Sequence, residues 1–106
     1  MTRTYIVDID GTICRTEQSD YNNSQPIFER IFVVNELFDT GNKIIYWTAR
    51  GQNSGKDWQD LTKRQLQTWG CKYHEVRFNK PAYDIWIDDK SINSEIFFNE
   101  PINNRS

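Results

Sequence analysis

Residues 5–14 read YIVDIDGTIC, an apolar run that ends in two aspartates one residue apart, Asp8 and Asp10, with Gly11 and Thr12 directly behind. Two like charges about 4 Å apart repel by roughly 4 kcal/mol at an effective dielectric near 20. The side chains must therefore diverge, or something cationic must sit with them. Three more apolar runs end in polar chemistry. KIIYW is followed by Thr48, Ala49 and Arg50, HEVRF by Asn79 and Lys80, and YDIWI by Asp88 and Asp89. Four carboxylates and a lysine suit metal-dependent phosphoryl transfer. Mg²⁺ prefers oxygen ligands from a few carboxylates, completed by water and substrate phosphate. A carboxylate can also attack phosphorus and form an aspartyl-phosphate. Charge spreads over the phosphoryl oxygens in the transition state, which calls for the metal, a cation such as Lys80, and neutral donors such as Thr48 and main-chain amides. Gly11 lets the chain turn sharply after Asp10 and bring amides to the phosphate.

The elements that must position these residues follow from periodicity. Residues 5–9, 43–47 and 83–87 read as buried strands, being β-branched or aromatic and too short for helices. A weaker strand is expected at 74–78 and a fifth at 95–98. Between them, Ile27, Ile31, Val34 and Phe38 recur at helical spacing, with Pro26 suited to a first turn and Gly41 to the stop. A second helix is expected from Asp57 as N-cap to Gly70, with Trp58, Leu61, Leu66 and Trp69 near one face. The alternation implies a parallel α/β sheet with right-handed crossovers. In such sheets the site lies at the carboxyl ends of the strands, which is where all four polar groups fall.

A chain of 106 residues makes one domain, residues 1–106, with a single modest core. Its formal net charge of −2 gives no overall attraction to nucleic acid or anionic membrane. Residues 1–4 are polar and no apolar run approaches a membrane span, so a cytoplasmic protein without a leader is expected. Cys14 and Cys71 are then expected as reduced thiols. Cys14 follows the acidic motif but has no recognisable histidine partner, and the sole histidine, His74, reads as structural.

Together these stretches carry a resemblance. DIDGT resembles the first motif of the haloacid dehalogenase (HAD) superfamily, YWTAR the second, Lys80 in FNKP the third, and IWIDD the acidic fourth, in order and across most of the chain. The resemblance implies a three-layer α/β/α Rossmann-like parallel sheet. It makes Asp8 the nucleophile and a metal ligand, and Asp10 the acid and then base whose carbonyl also meets Mg²⁺. Thr48 would bind the phosphoryl group and Lys80 would steady Asp8. Asp89 would be the direct ligand of the final pair, with Asp88 outside it. The second aspartate of the first motif favours phosphate-ester hydrolysis over dehalogenation. Only residues 13–25 separate that motif from the first helix, too few for the cap domain many relatives insert. The site is then open, or closed by a neighbouring subunit in a homo-oligomer. Surrounding segments are similar to small members from bacterial polysaccharide gene clusters and phages, which points to a small sugar phosphate as substrate.

Gly11, Thr12, Ala49, Arg50 and Lys56 are further candidates for substrate contact. Arg50 either reaches substrate or forms a structural ion pair, and the loop at 51–57 either touches substrate or is a solvated linker. The same alternatives apply to Tyr21, Asn22 and Asn23. Asp88 and Asp89 could also cap a helix. Two other functions are consistent with these residues. One is a polynucleotide-end (3′- or 5′-) phosphatase, in which nucleic acid enters only as substrate; the other is a regulatory protein that binds metal and phosphate with little turnover. Residues 100–106 read as a polar tail.

Overall fold

The structure, a computed structural model, describes residues 2–99. β1 (Thr4–Asp8), β4 (Lys43–Trp47) and β5 (Glu75–Arg77) form a parallel sheet in the order β1-β4-β5. Between β1 and β4 the chain makes a small hairpin, β2 (Cys14–Arg15) with β3 (Gln25–Pro26), around a 3-10 turn at Tyr21–Asn23, and then α1 (Phe28–Asp39). α2 (Gln59–Thr68) crosses from β4 to β5, and α3 (Ser94–Asn99) ends the described chain.

Parallel register aligns Tyr5 with Ile44 and Val7 with Tyr46, while Tyr46 faces Val76. Side chains alternate along a strand, so these five share one face. They pack with Ile31 and Val34 of α1 and Leu66 of α2 in a single cluster that also takes Ile9, Ile13 and Cys14. The opposite face carries Ile6 and Ile45 among charged residues, including a Lys43–Glu75 ion pair of 3.2 Å.

Both long helices stop as expected. Gly41 and Gly70 take left-handed φ values of 97° and 74°, a region glycine enters without steric cost. The amides of Asn42 and Cys71 then reach back to the carbonyls of Leu37 and Leu66, closing the last turns. Asn35 ties the two ends together, donating to Gly70 O and accepting from Lys72 N, each at 2.8 Å. Asn35→Ala should cost about 1–2 kcal/mol, since two exposed hydrogen bonds are lost and water re-solvates the backbone groups. Urea unfolding of the variant checks this.

Three expectations need correction. Pro26 does not open a helix: it pairs with Cys14 in the hairpin, and α1 starts at Phe28. Residues 95–98 are helical, because the Asn93 side chain accepts the Glu95 amide at 2.8 Å and its carbonyl accepts those of Ile96 and Phe97. Residues 83–87 form no strand; with the rest of 81–93 they make an exposed arm. The tail at 100–106 lies outside the described residues.

Candidate active site at the carboxyl edge of the sheet

Asp8 pairs with Trp47, and Trp47 with Arg77. All three strands therefore end level, and the residues that follow each of them meet at one rim. Thr48 N donates to Arg77 O at 2.9 Å and Lys80 N to Thr48 O at 3.2 Å, which stitches the second and third segments together. Behind Asp8 the chain folds tightly, with Thr12 and Ile13 amides on Ile9 O and Gly11 N on Cys14 O. Gly11 has φ +81°, so a side chain there would strain the turn.

The paired aspartates do diverge, and each meets its own cation. The Lys80 ammonium lies 3.2 Å from Asp8 Oδ1, and the Thr12 hydroxyl donates to Oδ2 at 3.2 Å. Asp8 keeps a side chain 36% exposed. Lys80 is half-buried beneath aromatic rings, 5.1 Å from the centre of Tyr83 and 5.9 Å from that of Trp86. Trp86 in turn meets the Trp47 ring edge-on.

Asp10 turns inward. Arg50 grips it with Nε to Oδ2 at 2.9 Å and Nη2 to Oδ1 at 2.8 Å, a two-pronged pair. The rest of the guanidinium is also engaged, with Thr62 at 3.0 Å, Gln65 at 2.6 Å and Ser24 at 3.3 Å, and the Tyr21 ring centre at 4.7 Å. Its side chain is 0% exposed. Of the two readings of Arg50, the structural ion pair is the one realised here. Thr16 adds a 2.6 Å hydrogen bond to Asp10 Oδ1. Burial works to raise the Asp10 pKa, but the hydrogen bond and charge of Arg50, then Thr16 and Cys14, hold it below 3.8. A depressed carboxylate contributes stability in full above its unfolded value and loses it as pH falls through the folded one. Wild-type stability should thus drop below about pH 4, and Asp10→Asn should flatten that drop; urea unfolding between pH 6 and 3 reads both.

The remaining candidates fall unevenly. Thr48 is buried, its hydroxyl accepting the Arg50 amide at 3.1 Å. Ala49 is half-buried at the rim. Lys56 sits on the exposed 51–57 loop with its ammonium 4.4 Å from the Trp58 ring centre. Asp88 and Asp89 stand on the exposed arm, where Asp88 accepts from Trp86 Nε1 at 3.2 Å and Lys90 N at 3.0 Å. The Lys90 amide and then the Trp86 ring hold the Asp88 pKa below its ordinary value. Burial pushes the Cys14 thiol up to about 11, so it is no thiolate nucleophile near neutral pH. His74 is structural: its Nδ1 accepts the Ile44 amide at 3.1 Å.

The described residues contain no group of three or more His, Cys, Asp or Glu side chains placed to hold a metal ion. Asp10 gives both side-chain oxygens to Arg50, and Asp88 and Asp89 stand on the arm, so among the described residues no such set of carboxylates gathers round Asp8. Sequence reasoning also missed Tyr21, Ser24, Thr62 and Gln65 as the Arg50 cradle. No spacing signals them, because each is a common residue type and they come from three separate stretches of the chain, the 3-10 turn, the start of the β3 hairpin arm and α2.

Fold and rim define a small α/β protein with a parallel sheet and a charged carboxyl edge. No protein-family model matches the sequence, and no curated protein does. Among solved structures, the chain is similar to a structural-genomics target from Vibrio cholerae, at TM-score 0.86 and 24% identity, over 99% of this chain and 94% of that one. It is also similar to a chain of the Pnkp1/Rnl/Hen1 complex, at TM-score 0.60 and 19% identity. There it covers 99% of this chain and spans 36% of the larger one. At these identities the likeness establishes the α/β fold. No helix among the described residues is long and apolar enough to cross a membrane.

Proposed function

We propose that this chain is a haloacid dehalogenase-type phosphatase of the capless kind, acting on a small phosphomonoester, a sugar phosphate first among them. The observation that carries the reading is Asp8 itself. It is a partly exposed carboxylate at the carboxyl edge of a parallel sheet, flanked by Lys80 and Thr12 and backed by the Gly11 turn. In this reading the visible layers belong to the three-layer Rossmann-like architecture of that superfamily.

An oxygen of Asp8 attacks phosphorus, the bond to the ester oxygen breaks, and the departing alkoxide takes a proton from solvent water. Lys80 steadies Asp8 through their 3.2 Å ion pair and offsets charge on the phosphoryl oxygens. Water then attacks the phosphorus of the aspartyl-phosphate, freeing Asp8 and inorganic phosphate. Asp10, held ionised by Arg50, has no proton to give in the first step; to take the water's proton in the second, one of its oxygens must leave the Arg50 fork. Mg²⁺ would neutralise phosphoryl charge when bound, and its place in this reading depends on Asp88 and Asp89 reaching the rim.

The test is phosphate release from sugar phosphates, nucleotides and phosphorylated oligonucleotides, with Mg²⁺ and with EDTA. The reading expects release with metal, fastest on a small ester. No release from any of them removes it. A second reading, end-processing of polynucleotides, draws on the name of the Pnkp1/Rnl/Hen1 neighbour and on the exposed rings of Tyr83 and Trp86 beside Lys80. It expects oligonucleotides to be preferred and rates to fall steeply with salt.

A further inference from the structure

We propose that residues 81–93 are exchanged between two copies of this chain, each arm adding a parallel strand to the β1 edge of the other. The observations come from both halves of the contact. Every residue from 81 to 93 is exposed, and none of the backbone hydrogen bonds outside the described helices and strands involves residues 81–92. Yet the arm carries YDIWI, with Ile85 78% and Ile87 93% exposed. Isoleucines and tryptophan in a short apolar run have strong strand preference and a large apolar surface to bury. The sheet supplies the matching half: among the described residues β1 is an edge strand, and Ile6 on it is 57% exposed.

The two runs fit in one register. Opposing Ile85 to Tyr5, Trp86 to Ile6 and Ile87 to Val7 continues the helix-covered face with isoleucines and lays the indole beside Ile6. That register brings Asp88 level with Asp8, as Trp47 and Arg77 already are. Asp88 and Asp89 then arrive at the rim from which this chain alone leaves them absent.

The chain's own arm cannot make this pairing. Lys80 is held at the rim by Thr48 O and Asp8. A parallel strand in that register must begin at the opposite end of β1, at the level of Arg3, about 16 Å away along the strand and roughly two to three strand spacings of about 4.8 Å to the side. Only Pro81 and Ala82 intervene before Tyr83, and three residue steps reach at most about 11 Å. Parallel neighbours ordinarily need a crossover of a dozen or more residues. A second copy faces no such limit. The arm's far end returns to its own body, where Glu95 pairs with Arg30 at 2.9 Å and Phe98 packs against the core cluster. Residues 81–93 thus form a loop that can project about 20 Å and come back. A two-fold axis makes the exchange reciprocal and closed. The exchange stands on geometry alone; the catalytic use of the partner's Asp88 and Asp89 at Asp8 rests on the phosphatase reading.

The deciding experiment is a double variant, Ile6→Cys with Trp86→Cys in one chain, oxidised and sized under denaturing conditions. Exchange predicts covalent dimers, because opposed residues on paired strands lie within disulfide reach. Closed monomers, or no cross-link, overturn it. Light scattering supplies the second readout: wild type at twice the chain mass, and Ile85→Asp with Ile87→Asp at the mass of one chain with unchanged far-ultraviolet circular dichroism. A monomeric wild type, or a dimer indifferent to those substitutions, also overturns it. Mixing refolded Asp8→Asn and Asp89→Asn chains tests the shared rim. Half the dimers are mixed and each holds one intact site of two, so about a quarter of wild-type activity should return. Two inactive parents with no recovery overturn the shared rim, whereas a cross-linked dimer that never releases phosphate removes the phosphatase reading and leaves the exchange standing.

Discussion

Asp8→Asn should lose at least a thousandfold in phosphate release, on the order of what removing an activated nucleophile costs elsewhere, while the protein stays folded. The amide keeps the size of the carboxylate and can still accept from the Thr12 hydroxyl, so the turn behind it survives. What it loses is the partner of Lys80 and, on the phosphatase reading proposed above, the oxygen that would attack phosphorus. That ion pair involves an Asp8 side chain 36% exposed, and screening limits its worth to about 1 kcal/mol or less. A large kinetic loss with a small shift in melting temperature is therefore the expected signature. Full activity in Asp8→Asn would assign the chemistry to another group. A collapse of folding would make Asp8 a structural residue.

Arg50→Ala should have the largest effect on stability, about 3–5 kcal/mol, because it removes one member of a buried pair and leaves the other uncompensated. The guanidinium joins three parts of the chain: Asp10 after β1, Ser24 before β3, and Thr62 and Gln65 on α2, with Tyr21 stacked over it. Truncation leaves Asp10 charged beside unsatisfied hydroxyls and opens a cavity. For a domain of this size each kcal/mol shifts the midpoint by roughly 4–8 °C, so thermal unfolding reads the effect easily. Arg50→Lys keeps the charge but not the fork, and should recover only part of the loss. A variant that melts like wild type would mean that Asp10 and its cradle are solvated rather than clamped.

Much of the rim was legible because the signals were local. An apolar run ending in Asp-x-Asp-Gly, and another ending in Thr-Ala-Arg, each place their polar residues just beyond a strand, and parallel register does the rest. The β4 expectation at 43–47 matches the structure residue for residue, with Ile44, Ile45 and Tyr46 all buried. Glycines 41 and 70 marked helix ends for the same local reason. What was not legible depended on partners far along the chain. Nothing near Arg50 says that its fork will close on Asp10, forty residues earlier, instead of facing substrate. The run at 83–87 has the composition of a strand, but a strand needs an edge it can reach, and two residues after Lys80 do not reach one. The run at 95–98 has the composition of a strand, and the Asn93 side chain on the Glu95 amide makes it helical instead.

The measurement that bears most directly on the central claim is a mass map of the protein quenched in acid during turnover of its best phosphomonoester. An aspartyl-phosphate on Asp8 predicts one added phosphoryl group on the peptide that carries it, absent from Asp8→Asn and lost on treatment with hydroxylamine. A phosphoryl group on any other residue, or turnover with none trapped in the burst phase, would contradict it.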